Sequence, residues 1–235
     1  MSGHSKWATT KHRKEGVDAK RSANFTKLAN IIAVAARKGG DPESNFSLRM
    51  AMDKAKQYSL PKENIERAIK KGTGELGGQQ IEEIVYEGFG PEGIAIIIET
   101  VTDNKNRAAS EIKHLLNKYN GNLGGPGSTA WMFSHQGVIV LDKEKLTDEE
   151  ELALIDAGAL DIKEEGRVVI YTAMEQFEKL KKKIEAMRLP IAEADLEYVP
   201  KDRVKPKNEE TLIKLFEELE ACDDISNFYS NADVE

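Results

Sequence analysis

Apolar residues recur at helical spacing early in the chain and change to strand spacing near residue 80. Phe25, Leu28, Ile32 and Ala35 stand 3, 4 and 3 apart, the stripe of an amphipathic helix that ends at Gly39-Gly40. Asp41-Pro42-Glu43 predicts the start of a second helix, with Asp41 as cap and Pro42 in the first turn. Phe46, Leu48, Met50 and Met52 would form its buried side. Pro61 opens a third helix, with Ile65, Ala68 and Ile69 on one face and Gly72 as its stop. Three short helices with one apolar stripe each can bury those stripes only against one another, which predicts a small bundle. Residues 1–22 carry no stripe: Trp7 and Val17 are their large apolar residues and Gly16 interrupts the middle. They read as an arm, mobile or loosely helical when alone.

Gly72 to Gly78 is a linker by composition. Beyond it, Ile84-Val85-Tyr86 and Ile94 to Ile98 are strand runs joined by a glycine-rich turn, Gly88 to Gly93. Asp103-Asn104 caps a helix with the stripe Ala108, Ile112, Leu115 and Tyr119, closed by Asn120-Gly121. Thr129 to Phe133 reads as the next strand, giving β-β-α-β. A second unit follows. Val138 to Leu141 is a strand, and Thr147 caps a helix reaching about Ala157. Residues 161–171 form a hairpin, Phe177, Leu180, Ile184 and Met187 a helix stripe, and Ile191 to Val199 a last strand. That order, β-α-β-β-α-β, is the ferredoxin-like one. The tail adds a helix on Leu212, Leu215, Phe216 and Leu219 and a strand, Ile225 to Tyr229, with no core of their own. They would complete the earlier unit. The expected fold is therefore α+β: an N-terminal three-helix domain with a basic arm (1–75), a discontinuous α+β domain (76–133 plus 203–235) and a ferredoxin-like domain inserted into it (134–202).

Charge changes this picture, because it is segregated. The protein has 235 residues and a net charge of −7, yet residues 1–72 carry +9 and the remainder −16. A polyanion-binding end on an acidic body points to nucleic acid or anionic lipid as partner. With 32% charged residues and no apolar run near the roughly 20 residues of a spanning helix, a membrane protein is not expected. The lone cysteine, Cys222, can form neither an internal disulfide nor a cysteine-based metal cage, which fits a reducing, cytoplasmic setting.

Candidate chemistry is sparse. His4, His12, His114 and His135 show no metal-ligand spacing, and His135 falls in an expected loop. Gly121 to Ser128 is glycine-rich, but a helix precedes it and a strand follows, the reverse of a phosphate loop. A flexible connection is the better reading, and Glu87 to Gly90 is likewise a hairpin turn. Paired acids such as Glu82/Glu83 and Asp223/Asp224 carry no assignment on an acidic surface, and Cys222 reads as a small buried hydrophobe. No enzyme, cofactor or metal is expected.

The arm differs. Lys6, Trp7, Lys11, His12, Arg13, Lys14, Lys20 and Arg21 concentrate cations, a histidine and one stacking surface. Lys27, Arg37 and Lys38 extend that footprint onto the first helix. Lysine and arginine pair with phosphates, while tryptophan offers a face to an unpaired base. Neither helix-turn-helix spacing nor an RNA-binding aromatic motif accompanies them, so sequence readout is not expected.

These residues also carry a resemblance. GHSKW, KHRK and DAKR, then FTKL, DPESN, PKENIERAIKKGTGE, YEGFGPEG, TDNKNR, NGNLGGPGS and DDISNFYSNAD resemble the YebC/PmpR family from Gly3 to the C-terminus. The resemblance implies a helical domain followed by two α+β domains, the last inserted into the middle one. It implies a cytoplasmic, DNA-binding transcriptional regulator. The family also includes a mitochondrial translational activator and members tied to the ribosome, so ribosomal or messenger RNA is the alternative partner. A motif beginning at Gly3 leaves no room for a removable leader. The arm positions carry over as nucleic-acid contacts, no catalytic residue does, and the expected state is a monomer or weak oligomer.

Overall fold

The computed structural model describes residues 19–77, 81–164 and 166–234, with side chains in the first helix from Phe25 onward. Among these residues lie seven helices and two four-stranded antiparallel sheets, an α+β fold. Helix α1 (Ala19–Ala36), α2 (Phe46–Gln57) and α3 (Lys62–Gly72) form the bundle. Its core is Leu28, Ile32, Ala36, Leu48, Ala51, Ala55, Ile65 and Ala68. Helix α1 begins by Ala19, inside the span read as an arm, so Lys20 and Arg21 belong to a helix. At Gly72 a Cβ would stand 2.1 Å from the Ala33 carbonyl oxygen, so glycine lets α3 cross α1 in direct contact.

Helix α2 starts later than its proline suggested. Asp41 caps a single turn, its carboxylate accepting from Glu43 N at 3.0 Å. The helix itself is capped by buried Asn45, whose Oδ1 accepts from Leu48 N. The Asn45 amide also donates to the carbonyls of Ala35 and Gly39, at 2.8 and 2.7 Å. One side chain thus ends α1 and starts α2, and that double duty outweighs the local signal at Pro42.

The first sheet has the order β3-β1-β2-β8, from β1 (Glu82–Phe89), β2 (Ala95–Thr102), β3 (Asn122–Leu123) and β8 (Ile225–Ser230). Residues Ile94 to Ile98 are all fully buried, so β2 is covered on both faces and reads as a continuous apolar run. On one face lie α4 (Lys105–Lys118) and α7 (Glu209–Ala221). Ile112, Leu116, Leu212, Leu215 and Leu219 pack there on Ile96 and Ile98. Leu116, rather than Leu115, joins Ala108 and Ile112 as a fully buried position of α4. The turn after β1 is tighter than expected, because β1 runs on through Phe89.

The predicted strand at Thr129 to Phe133 does not form. Ala130–Met132 is a single helical turn, and the sheet's outer strand is instead Asn122–Leu123, within the glycine-rich segment. Strand β4 (Phe133–Leu141) starts where that turn ends and runs nine residues. His135 therefore sits in a strand, opposite Tyr198, not in a loop.

The second sheet has the order β5-β6-β4-β7, from β4, β5 (Ala159–Glu164), β6 (Val168–Ala173) and β7 (Ile191–Pro200). With α5 (Asp148–Asp156) and α6 (Phe177–Ala186) it is ferredoxin-like and inserted between β3 and α7. A capping box at Thr147 and Glu150 starts α5. Strands β4 and β7 pair from Phe133–Pro200 to Leu141–Ile191. Phe133 packs with Ala95, Ile97 and Tyr229 of the first sheet, while Ile139 and Leu141 lie in the second core. This ribbon joins the two units through continuous hydrogen bonding rather than a loose linker.

Candidate nucleic-acid interface

Of the residues that sequence nominates for phosphate contact, Lys6, Trp7, Lys11, His12, Arg13 and Lys14 lie outside the described residues, as do the side chains of Lys20 and Arg21. The other three are placed. Lys27 Nζ donates to the Glu220 carbonyl at 2.5 Å, tying α1 to the end of α7. Arg37 donates to the Ile81 carbonyl at 3.0 Å, just before β1. Lys38 is exposed at the rim of an interdomain cleft. Two of the three thus hold the bundle on the middle unit, beside a buried contact of Ala33 with Ile81 and Val101.

Helix α2 makes the bundle's other junction. Phe46 and Met50 turn away from the bundle core and pack on the ferredoxin-like unit. Phe46 meets the Phe177 ring edge-on at 6.1 Å, and the Arg49 guanidinium lies 5.4 Å from the Phe46 ring. Arg49 pairs with Glu178 at 2.8 Å, Lys54 with Asp195 at 2.7 Å, and Lys181 reaches back to Asp53 at 3.6 Å. Lys182 first, and Arg49 after it, hold the Glu178 carboxyl below its ordinary range.

Helix α3 is arranged differently. Arg67, Lys70 and Lys71 stand at i, i+3 and i+4, all exposed, and make no ion pair among the described residues. Helical spacing puts them on one face. In sequence these three cations are overshadowed by the denser charge of the arm. The signal was present: three cations at that spacing opposite the stripe Ile65, Ala68 and Ile69.

The cleft where the three units meet measures about 260 Å³ and has Lys38, Lys54, Glu83, Glu99, His135 and Asp195 in its lining. Burial pushes the Glu99 carboxyl upward, with Asp195 and Glu83 adding to it and bonds from Asn227 and Tyr229 opposing it. His135 stacks on Tyr198 with ring centroids 4.3 Å apart. Burial holds its pKa below the usual imidazole value, against the pull of Asp195 and Glu83. Buried Tyr229 is pushed well above its ordinary range by burial and by Glu99.

Elsewhere the polar chemistry is architectural. Burial raises the Glu87 carboxyl, but N–H groups of Gly127, Thr129 and Ala130, each 2.7 Å away, bring the net shift below the usual range. The glycine-rich segment closes on that carboxylate, an anion of the chain's own. Burial pushes the Cys222 thiol up to about 11, so it stays protonated at neutral pH and is a poor nucleophile. Among the described residues, no group of three or more His, Cys, Asp or Glu is placed to hold a metal ion. No helix there is long and apolar enough to cross a membrane.

Residues 5–75 match the model of the TACO1/YebC protein N-terminal domain, and residues 81–232 that of the TACO1/YebC second and third domain. The chain belongs to the TACO1/YebC family. It is 49% identical over 241 residues to a probable transcriptional regulatory protein of Thermoanaerobacter pseudethanolicus, covering all of this chain and 98% of that one. A probable transcriptional regulatory protein of Thermotoga maritima is 47% identical, with all of this chain and 95% of that one covered. The crystal structure of a conserved hypothetical protein from Aquifex aeolicus matches with a TM-score of 0.86 at 41% identity, covering 98% of this chain and 97% of that one. These relatives support a regulatory role.

Proposed function

We propose that this chain is a non-enzymatic, nucleic-acid-binding regulatory protein that acts on DNA in the control of transcription. The observation that carries this reading is the charge segregation, +9 in residues 1–72 against −16 in the rest. Phosphates would be held by the arm, from Lys6 to Arg21, and by the exposed face of α3, Arg67, Lys70 and Lys71. The acidic α+β units, with domain boundaries near residues 75, 133 and 203, repel a polyanion and so orient it toward the bundle. The protein acts in the cytoplasm as a monomer or weak oligomer and needs no cofactor.

One observation favours ribosomal or messenger RNA as the alternative partner. Helix α2 is packed on both sides, on the bundle core and on the ferredoxin-like unit. The described bundle therefore presents one free basic helix instead of a helix-turn-helix pair, an arrangement suited to reading shape and backbone. Crosslinking in cells, followed by sequencing of bound DNA and RNA, separates the two. Promoter enrichment without ribosomal RNA supports the DNA reading; ribosomal RNA alone replaces it. Deleting residues 1–18 tests the arm itself. With about five phosphate contacts, the intact protein should show a log–log salt slope on the order of −4. An unchanged slope after deletion rules the arm out as the phosphate contact.

A further inference from the structure

Three bonds to Glu87 fix the turn Ala130–Met132, and the residues around it face inward. Thr129 is fully buried, and Met132 and Phe133 pack with Ala95, Ile97 and Tyr229. Trp131, between them, is 64% exposed. The backbone at and beside it is held by Lys201: Lys201 Nζ donates to the Trp131 carbonyl at 2.8 Å, and Lys201 N donates to Met132 O at 2.9 Å. Its indole N–H donates to Ser128 O at 3.2 Å, so the ring is oriented as well. A large aromatic oriented in solvent forgoes the burial that usually justifies tryptophan, and its ring face is available for contact.

Its surroundings say what it would contact. The strap from Lys201 to Lys207 carries four cations and one aspartate in seven residues, on an otherwise acidic body. Hydrogen bonds hold the strap along its length. Val204 N donates to Asn231 O at 2.8 Å, and Lys207 N and Asn208 N donate to Glu92 at 2.7 and 3.0 Å. Lys201 and Lys207 are exposed, and Lys207 makes no ion pair among the described residues. On the other side, Gly125 and Gly127 leave open space beside the turn.

We propose that Trp131 and the strap Lys201–Lys207 form a second contact site, for single-stranded nucleic acid, in which Trp131 stacks on an unpaired base while Lys201 and Lys207 engage phosphates along the same strand. An aromatic face with Lys201 beside it, at the start of a cationic strap, fits an unpaired strand; a duplex hides its base faces in the stack. This site rests on the nucleic-acid reading above and deepens it, adding a point on the α+β body where a strand leaving the bundle is gripped again.

The test uses the full chain and a 12-nucleotide mixed-sequence RNA, single-stranded or annealed to its complement. The chain's two tryptophans are Trp7 and Trp131, so a Trp7→Phe background isolates the Trp131 emission. The single strand, in its RNA or DNA form, should quench that emission, and the duplex should not. In the otherwise unaltered chain, Trp131→Ala should weaken single-strand binding about tenfold, with Trp131→Phe recovering part of the loss. Lys201→Gln with Lys207→Gln should lower the salt slope by about 1.4, the value for two single-strand phosphate contacts. Arm-dependent binding with no quenching and no loss in Trp131→Ala overturns this site and leaves the function reading standing. Equal quenching by the duplex also overturns it. Absence of binding to any oligonucleotide overturns both.

Discussion

Helices α2 and α3 come from one bundle and carry similar cations, yet they use them in opposite ways. On α2, Arg49 and Lys54 are half-buried and paired with Glu178 and Asp195 of another unit. On α3, Arg67, Lys70 and Lys71 stand in solvent without ion pairs among the described residues. The difference lies in what else each helix buries. Helix α2 has apolar residues on two faces, Leu48, Ala51 and Ala55 inward and Phe46 and Met50 outward, so it is sandwiched and its cations end beside carboxylates. Helix α3 has a single stripe, and its opposite face stays free. A basic residue in sequence is therefore not yet a phosphate contact. Its helix's second face decides between cement and interface.

The largest expected effect breaks the sandwich itself. Leu48→Ala removes a fully buried side chain from the centre of the bundle, and should lower unfolding free energy by about 2–5 kcal/mol in a denaturant titration. A loss under about 1 kcal/mol would mean that α2 does not depend on its inner face.

A smaller effect sharpens the contrast between the two sets of cations. Replacing Arg67, Lys70 and Lys71 by Gln should leave stability within about 0.5 kcal/mol of wild type. The log–log salt slope for duplex DNA should become shallower by about 0.9 for each phosphate contact removed. Lys54→Met should do the reverse, costing about 1 kcal/mol of stability with the slope unchanged. If Lys54→Met altered the slope and the α3 triple did not, the assignment of the two helices would be inverted.

The smallest effect is a matter of pH at the junction that α2 seals. His135 borders the same cleft as Lys54 and Asp195, and burial depresses its pKa. A depressed imidazole favours the fold when neutral, so its contribution is present above the unfolded value of about 6.5 and is lost as pH falls through the folded pKa. Glu99 is shifted the opposite way, with its raised carboxyl pKa, and contributes more as the medium becomes acidic. The His135 part is isolated by comparing wild type with His135→Gln between pH 7.5 and 5.5. The wild type should lose stability relative to the variant, and parallel curves would remove His135 from the account.

Much of the fold was legible because each element announces itself locally. The stripe of α1, the alternation of β1, the Thr147 cap and the unpartnered tail helix were all readable, and with them the inserted ferredoxin-like order. Misreadings fall where a distant partner outvoted local pattern. Thr129 to Phe133 is apolar enough for a strand, but Glu87, some forty residues away, takes three amides and winds it into a turn. Asn122-Leu123 looks like loop, and becomes a strand because β1 offers it an edge at Gly88 and Phe89. Asn45 displaced Asp41 as the cap because it could also close α1.

The candidate site divides along the same line. Periodicity, caps and net charge per segment depend on residues a few positions apart. The sequence alone therefore determined the order of elements, the α+β class and the separation of a basic head from an acidic body. Which cations are free, which way Trp131 points and which faces of α2 are covered depend on residues up to 193 positions apart, as in the bond from Lys27 to Glu220. Those contacts exist only after the chain has returned on itself, and the tertiary structure alone decided them.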